Sequence, residues 1–370
     1  MAGQIMPEKS DDGADWIKLM WPGALAVEAG AAMARQMFAA FSPPAPPPAP
    51  EPVWTTPNEI VLELAAARML RFPSAPAQEG RRPVIVCAPF ALHDARIADL
   101  CAGHSLMATL GAGAAPLYLV DWLSAKPEQS QRRIDDFLSD LHVFVDEIGG
   151  VADFVGLCQG GWLSLLYAAR FPDRAGKLVL AAAPIDMEAA DSALSALARS
   201  TPVESFHELV RLGEGLARGA RAMRFWGFEL NAPERIHDWL QSEAALESPQ
   251  FRAEAEAFRA WNAHVLDLPG AYYLEVVEKL YKRNELARGE FRALGKKIDL
   301  RAMRRPLYLI AASDDDVTAP EQLFACARLV GTPCAAQKRV TAPGGHLSVF
   351  VGAQSLKKVW PDVVDWLAAP

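Results

Sequence analysis

Gly156-Leu157-Cys158-Gln159-Gly160-Gly161 sets a thiol between glycines placed two residues before it and two after. An apolar stretch, Phe154 to Leu157, leads into it and a helical pattern follows. In that context the hexapeptide reads as a tight strand-to-helix turn that lifts a nucleophile above a sheet edge. A thiol suits the place, because the field of a helix N-terminus and a nearby imidazole both favour thiolate. The next backbone N–H, from Gln159, would face the same pocket and can hold an oxyanion. A small, inert, buried cysteine between loop glycines is the plainer reading, so the case turns on partners.

A nucleophilic thiol needs a base, and the base needs a carboxylate to fix its tautomer. His346 lies in Pro343-Gly344-Gly345-His346, after the segment Lys338–Thr341 and before the last helix. Asp314, Asp315 and Asp316 follow the apolar run Leu307–Ala311, where a parallel sheet presents side chains at its carboxyl end. Asp315 is favoured, with Val317 two residues on and Pro320 closing the turn; Asp314 and Asp316 fit solvated or helix-capping roles. The order Cys158, Asp315, His346 is the nucleophile–acid–base order of α/β-hydrolases. Among the other histidines, His207, His237 and His264 fall where surface or packing roles are the default, and His142 sits inside a helix. His93, beside Asp94, and His104 could line the pocket. None has metal-ligand spacing to another histidine or cysteine, so no metal site is expected. No glycine-rich phosphate loop is present either.

The elements that must carry these groups are short apolar runs alternating with helical ones. Pro83–Ala88, Leu117–Val120, Phe154–Leu157, Leu178–Leu180 and Leu307–Ile310 read as strands buried on both faces. Ile134–Ile148 and Trp162–Phe171 read as helices between them, which predicts a mostly parallel sheet covered on both sides. The rhythm breaks after Pro184 and resumes near Lys297, so 185–297 is expected to be a helical insertion, a cap, in one α/β-hydrolase core spanning 56–184 and 298–370. Ahead of the core, 43–55 contains Pro43-Pro44-Ala45-Pro46-Pro47-Pro48, a polyproline linker. It sets apart a helical segment, 1–42, whose Met33, Met37, Phe38 and Phe41 fall at helical spacing.

Composition bounds the rest. The chain has 370 residues, 51% hydrophobic, with a formal net charge of −8, which argues against a nucleic-acid surface built on bulk charge. No apolar run reaches the roughly 20 residues of a spanning helix, so an integral membrane protein is not expected. Five cysteines without a CxxC pair read as free thiols in a reducing, cytoplasmic compartment. The acidic start, Glu8 to Asp15, does not read as a secretory leader.

The cysteine box and the segments around it resemble the polyhydroxyalkanoate synthase and intracellular depolymerase group of α/β-hydrolase-fold proteins. Thr56–Val61, Ala88-Pro89-Phe90 with Ile97-Ala98-Asp99-Leu100, and Leu119-Val120-Asp121-Trp122 are similar to synthase segments around the first strands. Trp261-Asn262-Ala263, Leu268-Pro269-Gly270 and Leu280–Leu286 are similar to the synthase cap. The resemblance implies that Cys158 carries the acyl chain as a thioester, with Asp315 and His346 completing the triad. It implies no cofactor, with a CoA thioester as substrate or acceptor.

Two departures lean toward the degrading members. Leu347–Gly352 stands where synthases carry an Asn-Pro-Pro stretch, and Trp162 stands where they tend to carry a small hydroxyl residue. Three readings follow. The first is a Cys-dependent hydrolase of poly- or oligo-3-hydroxyalkanoates; the alternative is a synthase using 3-hydroxyacyl-CoA; a third is a non-catalytic granule-associated protein. In the enzyme readings the oxyanion is held by Gln159 and by an N–H near Phe90 or Ala91, and Trp162 joins the substrate-binding set. Expected partners are the polyester or its granule surface and a second copy of the chain as a homodimer. Cap aromatics such as Phe225, Trp226, Trp261, Tyr272, Tyr273 and Tyr281 keep water out, although most of them are expected simply to pack the insertion.

Overall fold

The computed structural model describes residues 53–76, 80–227 and 232–369. The helical segment expected over 1–42, and the proline linker as far as Pro52, lie outside them.

Eight strands form one sheet: β1 (Glu59–Glu63), β2 (Ala67–Phe72), β3 (Val84–Cys87), β4 (Leu117–Trp122), β5 (Ala152–Leu157), β6 (Ala175–Ala181), β7 (Leu307–Ala312) and β8 (Gln337–Ala342). Their order across the sheet is β1-β2-β4-β3-β5-β6-β7-β8. Only the pairings of β2, with β1 and with β4, are antiparallel; the remaining neighbours run parallel. Every residue of β5, β6 and β7 is buried, as a sheet covered on both faces requires. Strand alternation divides the core in two. Ile85, Cys87 and Phe154 join Phe137, Leu141 and Phe144 of α1 (Ile134–Glu147) on one face. Val84, Val86 and Val155 join Trp360 and Val363 on the other.

The antiparallel edge escaped the sequence reading. β1 and β2 carry Glu59, Glu63, Arg68 and Arg71 among their apolar residues, so neither shows the continuous apolar run of a doubly buried strand. Arg71 and Glu59 face each other across the pair, and Arg68 reaches the buried Asp121 of β4. Such charges suit an edge exposed to water.

The parallel strand β5 passes into α2 (Gln159–Arg170) through Cys158. Between β6 and β7 the chain builds α3 (Ala193–Ser200), α4 (Val203–Leu212), α5 (Gly219–Trp226), α6 (Pro233–Leu240), α7 (Pro249–Ala263) and α8 (Gly270–Glu275), the last running into a π-helical stretch, Val276–Lys282. Two-residue strand pairs interrupt the helices, Leu216–Ala217 with Leu268–Pro269 and Arg292–Ala293 with Lys296–Lys297. This helical region is tied down onto the loop after β3. Leu266 N–H donates to the Leu92 carbonyl at 2.8 Å, His93 forms an isolated bridge with Val265, and the Tyr272 hydroxyl donates to the Phe90 carbonyl at 3.2 Å. No described helix is long and apolar enough to cross a membrane.

Candidate active site

Cys158 sits at φ 47°, ψ −114°, a left-handed backbone setting that an L-residue adopts only under local strain. The strain is held by close packing. Gly160 lies so near the end of β3 that a Cβ there would stand 2.0 Å from the Cys87 carbonyl oxygen and 2.7 Å from that of Ala88. A Cβ on Gly156 would meet the Gly161 Cα at 2.5 Å. Cys158 N–H donates to the Ala181 carbonyl at 2.8 Å, pinning the turn to β6. As the first residue of α2, Gln159 presents an N–H with no intrahelical acceptor.

The loops after β7 and β8 bring a carboxylate and an imidazole to the same place. Ser313 N–H donates to the Ala342 carbonyl, Asp314 N–H to the Gly344 carbonyl, and Gly344 N–H to the Ser313 hydroxyl. His346 Nδ1 then stands 3.0 and 2.9 Å from the two Asp315 carboxylate oxygens. Asp315 is fixed in turn by the N–H groups of Val317 and Thr318, at 2.9 and 2.8 Å, and its side chain is fully buried. Its neighbours go elsewhere: Asp314 accepts from Ser313 and Asp316 pairs with Arg235. With Nδ1 committed to Asp315, Nε2 is the nitrogen free to meet Cys158, which lines the same pocket. The structure thus brings Cys158, Asp315 and His346 together, with Cys158 8% and His346 7% exposed.

Burial opposes a charge on His346, yet the Asp315 carboxylate and Cys158 outweigh it and hold the imidazole well above its ordinary value. The sign follows from linkage. A histidine whose folded pKa is raised stabilises the fold fully below its unfolded value, about 6.5, and that stabilisation is lost as pH rises through the folded value. The stability gap between the protein and His346→Gln should therefore be widest near pH 6 and narrow toward pH 9 in urea unfolding. A gap that widens with pH would contradict this arrangement.

The pocket over the triad is a cavity of about 180 Å³ that includes Ala91, Leu92, His93, Trp239, Trp261 and Phe350 in its wall. Gln159 and Ala91 line it; Phe90 is buried behind, its ring against Tyr272. Trp162 does not reach it. Its ring is fully buried, and its indole N–H donates to the Gln159 side chain. Trp162 therefore touches the site through Gln159 and has no face for substrate. The Gln159 amide donates in turn to the Tyr281 hydroxyl at 2.9 Å, so the residue after the nucleophile is clamped between the core helix and the π-helical stretch.

His93 is the histidine besides His346 on the pocket wall. Its Nε2 meets the Asn262 carbonyl at 3.2 Å, its ring lies 4.5 Å from that of Trp261, and burial pushes its pKa down to about 4. It is a neutral strut. His104 is buried away from the pocket, bonded to the Val351 carbonyl. His142, His207, His237 and His264 make local contacts with Tyr167, Glu278, the Ala244 carbonyl and Asp94. Among the described residues no group of His, Cys, Asp and Glu could hold a metal. The sequence reading did not foresee Arg235, Trp239 or Leu194 on the pocket wall or Tyr281 on Gln159. They come from helices whose amphipathic pattern is that of ordinary packing, so no local signal marks them.

Comparison with known proteins places this geometry. The family described as PHB de-polymerase C-terminus matches residues 182–369, half of the chain, and one described as a protein of unknown function (DUF3141) matches 59–197. The chain is 24% identical over 324 residues to the Poly(3-hydroxyalkanoate) polymerase subunit PhaC of Haloferax mediterranei, covering 85% of this chain and 64% of that one. It is 26% identical over 328 residues to the polymerase subunit PhaC of Synechocystis sp., covering 85% and 84%. Solved structures that it resembles include an alpha/beta hydrolase fold protein from Chitinophaga pinensis, at TM-score 0.52 and 14% identity over 85% of this chain and 98% of that one. A monoacylglycerol lipase of Paleococcus ferrophilus matches at TM-score 0.52 and 15% identity, over 81% and 98%. Together with the strand order, these show that the chain has the α/β-hydrolase fold.

Proposed function

The chain belongs to the family described as PHB de-polymerase C-terminus, and within polyester metabolism we propose that it is a polyhydroxyalkanoate synthase, an acyltransferase that builds polyester from 3-hydroxyacyl-CoA through a thioester on Cys158. This revises the hydrolase reading of the sequence, since the curated relatives are named as polymerases. The observation that carries it is the buried triad: the Cys158, His346 and Asp315 side chains lie beneath a largely apolar pocket to which the insertion adds Leu194, Met223, Trp239 and Trp261. A thioester held there is protected from water and waits for a hydroxyl acceptor.

In this reading His346 Nε2 takes the thiol proton while Asp315 steadies the imidazolium at Nδ1. The sulfur attacks the thioester carbonyl of 3-hydroxyacyl-CoA, and the oxyanion is held by the Gln159 N–H and the N–H of Ala91. Collapse expels the CoA sulfur, which leaves with the proton from His346, and Cys158 keeps the acyl group. In the second half His346 takes the proton of a 3-hydroxyl group, whose oxygen attacks the Cys158 thioester; the carbon–sulfur bond breaks, a new ester forms, and the Cys158 sulfur takes the proton back from His346. The 185–297 insertion acts as the cap, and the partners are the growing polyester and its granule surface, in the cytoplasm.

Hydrolysis remains the second reading, favoured by the depolymerase description of the matched family and by the Leu347–Gly352 segment. One assay separates the two. Given 3-hydroxybutyryl-CoA, a synthase releases CoA in step with polymer that pellets. A hydrolase yields soluble 3-hydroxybutyrate, and also releases it from amorphous polymer. Soluble acid as the sole product would overturn the synthase reading.

A further inference from the structure

A second cavity, about 90 Å³, adjoins the first across a wall made of Ala91, Leu92, Leu194 and Gln159. The two differ in chemistry. His93, Asp94, Arg235 and Asp316 line the first, whereas the second is lined without a single charged side chain and is dominated by Trp226, Tyr272, Tyr273, Val277 and Tyr281. A phosphate or free carboxylate would lose its hydration there without a counter-ion. At roughly 30 Å³ for a water-sized group, the space takes a short, uncharged unit.

The cavity also holds an unspent hydrogen-bond donor. Tyr273 is 5% exposed, and its buried hydroxyl has no hydrogen-bond partner. The nearby Trp226 indole can only donate, so it cannot accept the Tyr273 proton. Burial pushes the phenol up, so the group stays neutral and keeps that proton to give. The other two hydroxyls have partners: Tyr272 donates to the Phe90 carbonyl, and the Tyr281 oxygen is held in place by accepting from Gln159. A buried donor without an acceptor is destabilising, and a ligand carbonyl would remove that cost.

We propose that this second cavity binds the ester group of the 3-acyloxy substituent next to the reacting carbonyl, with the Tyr273 O–H donating to its carbonyl oxygen. The proposal rests on the polyester reading above and deepens it: the enzyme recognises a chain already carrying an ester oxygen on carbon 3, two carbons from the acyl carbon. Gln159, on the shared wall, sets the spacing between the two ester groups. The small volume restricts the occupant to a short unit.

The full chain is tested with two aryl esters, p-nitrophenyl butyrate and p-nitrophenyl 3-acetoxybutyrate, which differ by the second ester. The readout is the ratio of their kcat/KM values. The unaltered protein should prefer the acetoxy ester. Tyr273→Phe, which removes one oxygen, should lower that preference roughly five- to tenfold, the worth of one neutral hydrogen bond, with no loss of Tm because the lost hydroxyl was unpaired. Val277→Phe should lower the ratio further by filling the space. A ratio unmoved by Tyr273→Phe overturns the proposal, and that variant decides alone if Val277→Phe does not fold. The 3-hydroxybutyryl-CoA assay judges the polyester reading separately: polymer formed with an unmoved ratio sinks the cavity alone. A shifted ratio without polymer keeps the ester site and sinks the synthase.

Discussion

Replacing Cys158 with alanine should reduce turnover by about 10⁴-fold or more while the protein still folds, because what is lost is the atom that carries the acyl group. The companion variant Cys158→Gly should be equally inactive, yet more stable than Cys158→Ala by about 1 kcal/mol. The reason is the backbone. At φ 47° a Cβ is a burden, and glycine removes it. Urea unfolding of the pair measures the strain directly, and mass spectrometry after 3-hydroxybutyryl-CoA should find the acyl adduct on Cys158 in the unaltered protein alone. A Cys158→Gly variant less stable than Cys158→Ala would show that the turn is not strained. Retained turnover in either variant would remove Cys158 from the mechanism.

The other severe substitution is Gly160→Ala. Its new methyl would stand 2.0 Å from the Cys87 carbonyl oxygen, a backbone atom of a central strand that cannot step aside. Helix α2 must then move off β3, at a cost on the order of 3 kcal/mol. Gln159 is the first residue of that helix, so its N–H moves with it, and a shift near 1 Å costs about 100-fold in rate. Stability and kcat should fall together. A variant that keeps its stability but loses activity would mean that the glycine serves substrate contact, not packing.

These effects also explain what the chain makes legible. The Cys158 turn announces itself because its glycines flank it in sequence: Gly156 answers a steric problem with Gly161 a few residues away, although Gly160 answers one set by the distant Cys87. β3, β5, β6 and β7 are legible because burial on both faces makes them uniformly apolar. Asp315 is harder to single out from three adjacent aspartates, since all three share the same loop. Only the hydrogen bonds from Val317 and Thr318 and the pairing with His346 separate it from Asp314 and Asp316. Trp162 illustrates the opposite failure. Beside a nucleophile it read as a substrate contact, but at the fourth position of α2 its ring turns into the core, against Phe291. The clamp from Tyr281 to Gln159 joins residues 122 positions apart, and nothing in either neighbourhood encodes that distance.

That clamp sets a limit on how the two halves of the enzyme can be exchanged between relatives. The insertion and the turn meet through a three-membered chain, Trp162 to Gln159 to Tyr281, in which the middle residue also supplies a backbone donor to the reaction. A chimaera that brings a foreign insertion without a hydroxyl at position 281 would leave the Gln159 amide hydrogen without its acceptor. Changing Gln159 alone would strand a buried indole and a buried phenol together. The three side chains form one inherited unit, and recombination boundaries that preserve it are the ones that should yield active hybrids.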